Sequence, residues 1–127
     1  KIEKLLRKEI KKNYPKHNIN GEELKNVERD SKFTWFIDPV DGTKALILGL
    51  PTWSNMICFF QEKNSICSLI NFPVLKKFYI AISKKTFLFE NNKFSIIKSS
   101  KTNNLKEPQL RLFFYISLQN EKSKKIL

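Results

Sequence analysis

The stretch "WFIDPVDGTKALILGLPTW", residues 35–53, sets Asp38 and Asp41 three residues apart around Pro39 and follows them with Gly42 and Thr43. The chain has one other aspartate, Asp30. Immediately upstream, "FTWFID" (33–38) alternates Phe33, Trp35 and Ile37 with Thr34 and Phe36, which is the period of a half-buried strand. Pro39 fixes its own φ and biases Asp38 toward extended backbone, so the acidic turn after the strand is partly pre-set. Residues 43–48 predict a short helix closed by Gly49 and Pro51.

Two ionised carboxylates held close together repel unless a cation compensates them or one keeps its proton. Hard oxygen donors of this kind suit Mg²⁺, which retains several waters and accepts phosphate oxygens. Gly42 permits close backbone approach, and a helix starting at 42–43 would offer free N–H groups to an anion. "GEE" at 21–23 ends another short extended segment and brings Glu22 and Glu23 within reach of the same place. The same residues also have a purely structural reading. Asp38 can cap a turn, Asp41 can cap the helix, and Glu22 with Glu23 can be an ordinary solvated loop pair.

Working outward, Ile2, Leu5, Leu6, Ile10 and Tyr14 fall on one face of a helix over residues 2–14, which Pro15 ends. "HNINGEE" reads as a short extended piece and 24–32 as a polar loop. Beyond the short helix, strands are predicted at about 53–61, 66–72 and 77–83, with "EKNS" (62–65) as a hairpin loop. Asn91-Asn92 tolerates positive φ and marks a further hairpin, with 94–98 as its second strand. Residues 101–108 read as a loop, "LRLFFYIS" (110–117) as a strand and "QNEKSKKIL" as the opening of a helix. The "LFFYI" strand needs cover on both faces, and uncovered it is an aggregation site. One helix followed by mostly antiparallel strands gives an α+β or layered αβ class.

The totals narrow the function classes. The chain is 41% hydrophobic with eleven Phe, enough for a core in one domain or part of a larger one. No apolar run approaches the roughly 20 residues that span a bilayer. The net charge of +12 rests almost wholly on lysine, with Arg7, Arg29 and Arg111 the only arginines. It reads as a solvated surface that attracts anionic substrates at long range. Cys58 and Cys67 are too few for a zinc site and lie in apolar runs, as buried free thiols suited to a reducing cytoplasm. His17, the one histidine, sits in a polar loop with no serine or cysteine placed to complete a triad.

Glu22, then "WFIDPVDGT", "GLPTW" and "SLINFPVLKKFYIA", resembles the inositol monophosphatase family of Mg²⁺-dependent phosphatases. The resemblance runs from the opening helix to the strand near 110–117, and "DGTKALILGLPTW" is most similar to the bacterial histidinol-phosphatase branch. It implies a layered αβαβα sandwich, of which residues 1–127 would be part of one domain, lacking the N-terminal edge and the C-terminal half. It also implies roles. Glu22 and Asp38 would hold a first Mg²⁺ with the Val40 carbonyl, and Asp38 would bridge to a second that Asp41 also binds. Glu22 and the Thr43 hydroxyl would orient the attacking water, the Gly42 and Thr43 amides would bind phosphate, and Glu23 would stay outside metal contact. The implied substrate is a small phosphorylated metabolite, histidinol phosphate first and inositol 1-phosphate or 3′-phosphoadenosine 5′-phosphate as alternatives. The resemblance also implies a homodimer for the full-length protein, while the sequence itself gives the expectation of a cytoplasmic protein with no membrane or nucleic-acid partner.

Three departures from the family pattern bear on activity. Asp41 is the last aspartate, so the family's later Trp-Asp motif has no counterpart. An acidic contributor from the family's N-terminal region would precede Lys1. The segment that usually carries glycines is here "KKTFLFENNK". These give the expectation that the 127 residues alone are weakly active or inactive. The rival readings are a basic module that contacts nucleic acid through the 1–16 helix and a non-catalytic truncated relative. Binding that falls steeply with salt and ignores Mg²⁺ would mark the basic module.

Overall fold

The computed structural model describes residues 1–98. The strand expected at 110–117, the loop before it and the helix after it lie outside the described residues. The described chain is one helix, α1 (Ile2–Asn13), laid against a seven-stranded sheet, with a second short helix, α2 (Thr43–Ile47), between strands. The strands are β1 (Asn18–Gly21), β2 (Phe33–Asp41), β3 (Ser54–Gln61), β4 (Asn64–Phe72), β5 (Lys77–Ile82), β6 (Lys85–Glu90) and β7 (Lys93–Ile97). They lie side by side in chain order, with β1 parallel to β2 and every later pair antiparallel. No described helix is long and apolar enough to cross a membrane.

The core sits where α1 crosses the parallel end of the sheet. Ile10, Ile19 and Ile37 are buried together, with Leu6, Val27, Trp35 and Ile57 packed around them. Strand alternation sends Ile37 and Trp35 to this face and leaves Phe36 and Asp38 on the other, opposite Cys58 and Met56. The helix presents a different stripe from the one its hydrophobic pattern predicts. Glu3, Arg7 and Ile10 are buried, whereas Ile2 and Leu5 are exposed. The reason is an ion pair: Arg7 Nε lies 2.6 Å from Glu3 Oε1 one turn away, so two charges enter the interior as a satisfied unit.

The acidic segment also differs from the expected turn. β2 continues through it to Asp41, and a bulge separates the pairs Asp38↔Met56 and Asp41↔Ser54. Pro39 has no N–H to give to a ladder, and the bulge is where such a residue is tolerated. At the next hairpin the loop is shorter than "EKNS", because Gln61 pairs with Asn64 and Glu62 takes φ 55. The Asn91-Asn92 turn is as expected, with φ 50 and 59.

His17 is not a solvated loop residue. Its ring stacks on Tyr14 at 5.0 Å and on Phe59 at 5.5 Å, and Trp35 Nε1 donates to His17 Nδ1 at 3.1 Å. The acceptor nitrogen must be unprotonated, and partial burial lowers the His17 pKa below 6.5. The folded state therefore binds fewer protons here than the unfolded chain. The stabilisation is complete above the unfolded pKa and is lost as pH falls through it. Denaturant melts should show stability declining as pH falls through the ordinary histidine pKa of 6.5, and His17→Phe should flatten that decline.

Candidate active site

The parallel register of β1 and β2 builds the site. Asn18 lies opposite Thr34 and Gly21 opposite Ile37, so the next residues along, Glu22 and Asp38, arrive side by side. The Glu22 amide continues the ladder by donating to the Ile37 carbonyl at 3.2 Å. The neighbouring Asp38 carboxyl raises the Glu22 pKa above its ordinary value, hydrogen bonding being the largest cause. The Asp38 charge adds to the rise, followed by desolvation and the charges of Glu23 and Asp41. Among the described residues the ion pairs are Glu3–Arg7 and Lys32–Glu62, and neither involves this group.

The bulge carries the other expected residues. Asp38 Oδ1 accepts the Val40 amide at 3.0 Å, which is the turn-capping bond of the structural reading. Asp41 does not cap α2: its Oδ2 accepts the Ser54 hydroxyl at 3.3 Å, and Gly42 holds the N-cap position with φ 78. A Cβ at Gly42 would meet Trp53, and its positive φ strains any other residue. Thr43 Oγ1 donates to the Val40 carbonyl at 3.3 Å. Two clefts open around Glu22. One of about 430 Å³ is lined by Glu22, Glu23, Val40 and Thr43, and one of about 420 Å³ by Glu22, Asp38, Asn26 and Met56. No three His, Cys, Asp or Glu side chains among the described residues are gathered tightly enough to enclose a metal ion. The group is a neighbouring pair, Glu22 and Asp38, with Asp41 nearby and engaged by Ser54.

Four residues that hold this geometry are invisible to motif reading. Asn55 Nδ2 donates to the Pro39 carbonyl at 2.6 Å and is itself held by Asn71 Nδ2 on its Oδ1 at 3.0 Å. Ser54, fully buried, fixes Asp41. Arg7 reaches the Leu24 and Lys25 carbonyls, each at 2.9 Å, just past Glu22. Adjacent positions 54 and 55 at the start of β3 thus tie down both ends of the bulge.

A model of the inositol monophosphatase family matches residues 1–123. The chain belongs to the inositol monophosphatase family. Its fold agrees: extragenic suppressor protein SuhB from Bartonella henselae superposes with a TM-score of 0.64 at 25% identity, over 68% of this chain and 37% of that one. Among curated relatives, the bifunctional phosphatase IMPL2 of Arabidopsis thaliana is 36% identical over 58% of this chain and 22% of its own length. The histidinol-phosphatase of Chlorobaculum parvum is 35% identical over 62% of this chain and 30% of its own length. The family match thus takes in the whole acidic segment, while the chain corresponds to less than half of each relative.

The repulsion between Glu22 and Asp38 gives a prediction with a definite sign. A carboxyl whose folded pKa is raised favours folding while protonated, and that contribution is lost as pH rises. Glu22→Gln should therefore raise the metal-free melting temperature at neutral pH, with the gain vanishing below the ordinary carboxylate pKa of 4.5. Asn55→Ala, which strips the Pro39 carbonyl of its donor, should cost about 1–3 kcal/mol in urea unfolding.

Proposed function

We propose that the chain is the N-terminal part of a phosphate monoester hydrolase that uses Mg²⁺, and that Glu22, Asp38, the Val40 carbonyl and Asp41 hold the metal. The observation that carries this reading is the register of β1 on β2, which sets Glu22 and Asp38 side by side in the wall of one cleft, with no described cation paired to either. Every donor is a hard oxygen, the set that suits Mg²⁺. When bound, Mg²⁺ would acidify a water and neutralise charge on the phosphate and the leaving oxygen.

The chain's own groups supply the rest. Glu22 lines both clefts, so its carboxylate is placed to orient the attacking water and to hold the proton that water releases. Thr43 can swing its hydroxyl from the Val40 carbonyl to the same water, since the bond it makes is long. The first amides of α2 have no partner within the helix, and Gly42 and Thr43 offer theirs to a phosphate oxygen. Asp38, anchored by the Val40 amide, keeps a second oxygen for metal. No covalent intermediate on the protein is required.

For the substrate, "GLPTW" at 49–53 and the likeness to a histidinol-phosphatase favour histidinol phosphate as the ester. The protein would be cytoplasmic and act on a small phosphorylated metabolite as a homodimer. The test uses the full reading frame with Mg²⁺. Phosphate release should be fastest from histidinol phosphate, ahead of inositol 1-phosphate and 3′-phosphoadenosine 5′-phosphate. Asp41→Asn should lower release by at least the roughly 100-fold seen when a metal's supporting residues are lost. Release that persists in excess chelator would overturn the metal reading, and preference for another ester would overturn only the substrate. In the 127-residue chain, Mg²⁺ at about one hundred times its dissociation constant should stabilise folding by about 2.7 kcal/mol. Glu22→Gln should remove that gain.

A further inference from the structure

We infer that the buried Glu3–Arg7 pair is the device that positions Glu22, so that Arg7 and Glu3 act on the site through the loop that follows β1. Glu3 is completely buried and Arg7 nearly so, although both lie on a helix whose other charges face solvent. Helix stability alone does not need such burial, because an exposed i,i+4 pair serves it as well. The hydrogen bonds point elsewhere. Arg7 sends Nε to Glu3 and divides its two terminal nitrogens between the Leu24 and Lys25 carbonyls. Glu3 uses its second oxygen to accept the Glu23 amide at 2.8 Å. The pair therefore grips residues 23, 24 and 25 while the β1–β2 ladder holds the Glu22 amide, and Glu22 is fixed from both sides.

Gly21 supplies the independent sign that this fit is tight. A Cβ there would overlap the Glu3 carboxylate and crowd Arg7 Nη2, so the residue before Glu22 is bare where the clamp passes. Gly21 does not take a positive φ, which leaves close approach rather than backbone conformation as the reason for glycine. Planar, forked guanidinium geometry is also required, since one ammonium cannot reach Glu3 and two successive carbonyls together.

The purpose of the clamp rests on the proposed metal chemistry, whereas its mechanical role does not. Two variants separate them: Arg7→Lys keeps the charge and loses the fork, and Gly21→Ala keeps every charge and displaces Glu3. Phe89→Ala, which removes the stack on Phe78 across β5 and β6, serves as a control that weakens packing far from the clamp and from the β1–β2 register. Amide exchange should speed up about tenfold or more at Glu22 and Glu23 in both variants, against unchanged β2 and β3 amides. Mg²⁺ affinity, read by titration calorimetry, should fall by the 10- to 100-fold typical of residues that support metal ligands. The control should leave both the exchange at Glu22 and Glu23, relative to β2 and β3, and the Mg²⁺ affinity unchanged. Exchange that rises evenly along the chain, or a loosened loop with undiminished Mg²⁺ affinity, would overturn the inference. If the unaltered chain takes up no Mg²⁺, the proposed function fails, and the exchange measurement by itself decides whether the pair positions Glu22.

Discussion

The parallel pairing of β1 with β2 is the constraint on which the rest of the structure depends. Side-chain period in a strand is two, so a one-residue slip would carry Glu22 to the wrong face and away from Asp38. The register is pinned from the core side by Ile19 and Ile37, buried together under Ile10. The apolar contact that stabilises the fold therefore also sets two carboxyl groups against each other. That arrangement is unfavourable by itself, and it raises the Glu22 pKa above its ordinary value. Local unfavourable electrostatics held in place by a favourable core is the pattern expected of a functional site.

Around this pair the chain adds restraints in proportion to each segment's freedom. The bulge at Pro39 leaves the ladder, so Asn55 and Ser54 of β3 take over its carbonyl and its second aspartate. The loop after Glu22 lacks regular structure, so Arg7 and Glu3 hold its backbone from the helix. Other surfaces are less covered: Phe94 and Ile96 on β7, and Ile47 and Leu48 at the end of α2, are largely exposed. The buried hydrophobic cluster among the described residues, Ile10, Ile19 and Ile37, lies under β1 and β2, the two strands that carry Glu22 and Asp38.

Much of the fold was legible because it depends on local period. The "FTWFID" alternation, the proline-terminated helix and the Asn91-Asn92 turn are each specified within a few residues, and each is present. The candidate site was legible as chemistry, since Asp38, Asp41 and Glu22 stand out in an acid-poor chain. What local patterns could not show were contacts between distant segments. Arg7 read as one more cation on a solvated helix face, because its burial is decided by a loop 17 and 18 residues away. His17 read as a polar loop residue, because its stacking partner Phe59 arrives from β3. The acidic turn proved to be a bulge, a distinction that rests on the partner strand and has no signature in "DPVD" itself. Gly21 was the one available hint of the clamp: a glycine without a turn to make.

The role proposed for these carboxylates is to hold a divalent cation. Titrating trace Mn²⁺ into the isotope-labelled chain and recording amide line broadening tests it most directly. Broadening should saturate first at Glu22, Asp38 and residues 40–43, and Mg²⁺ should reverse it. Broadening spread evenly over exposed acids such as Glu9, Glu28 and Glu62, or untouched by Mg²⁺, would contradict it.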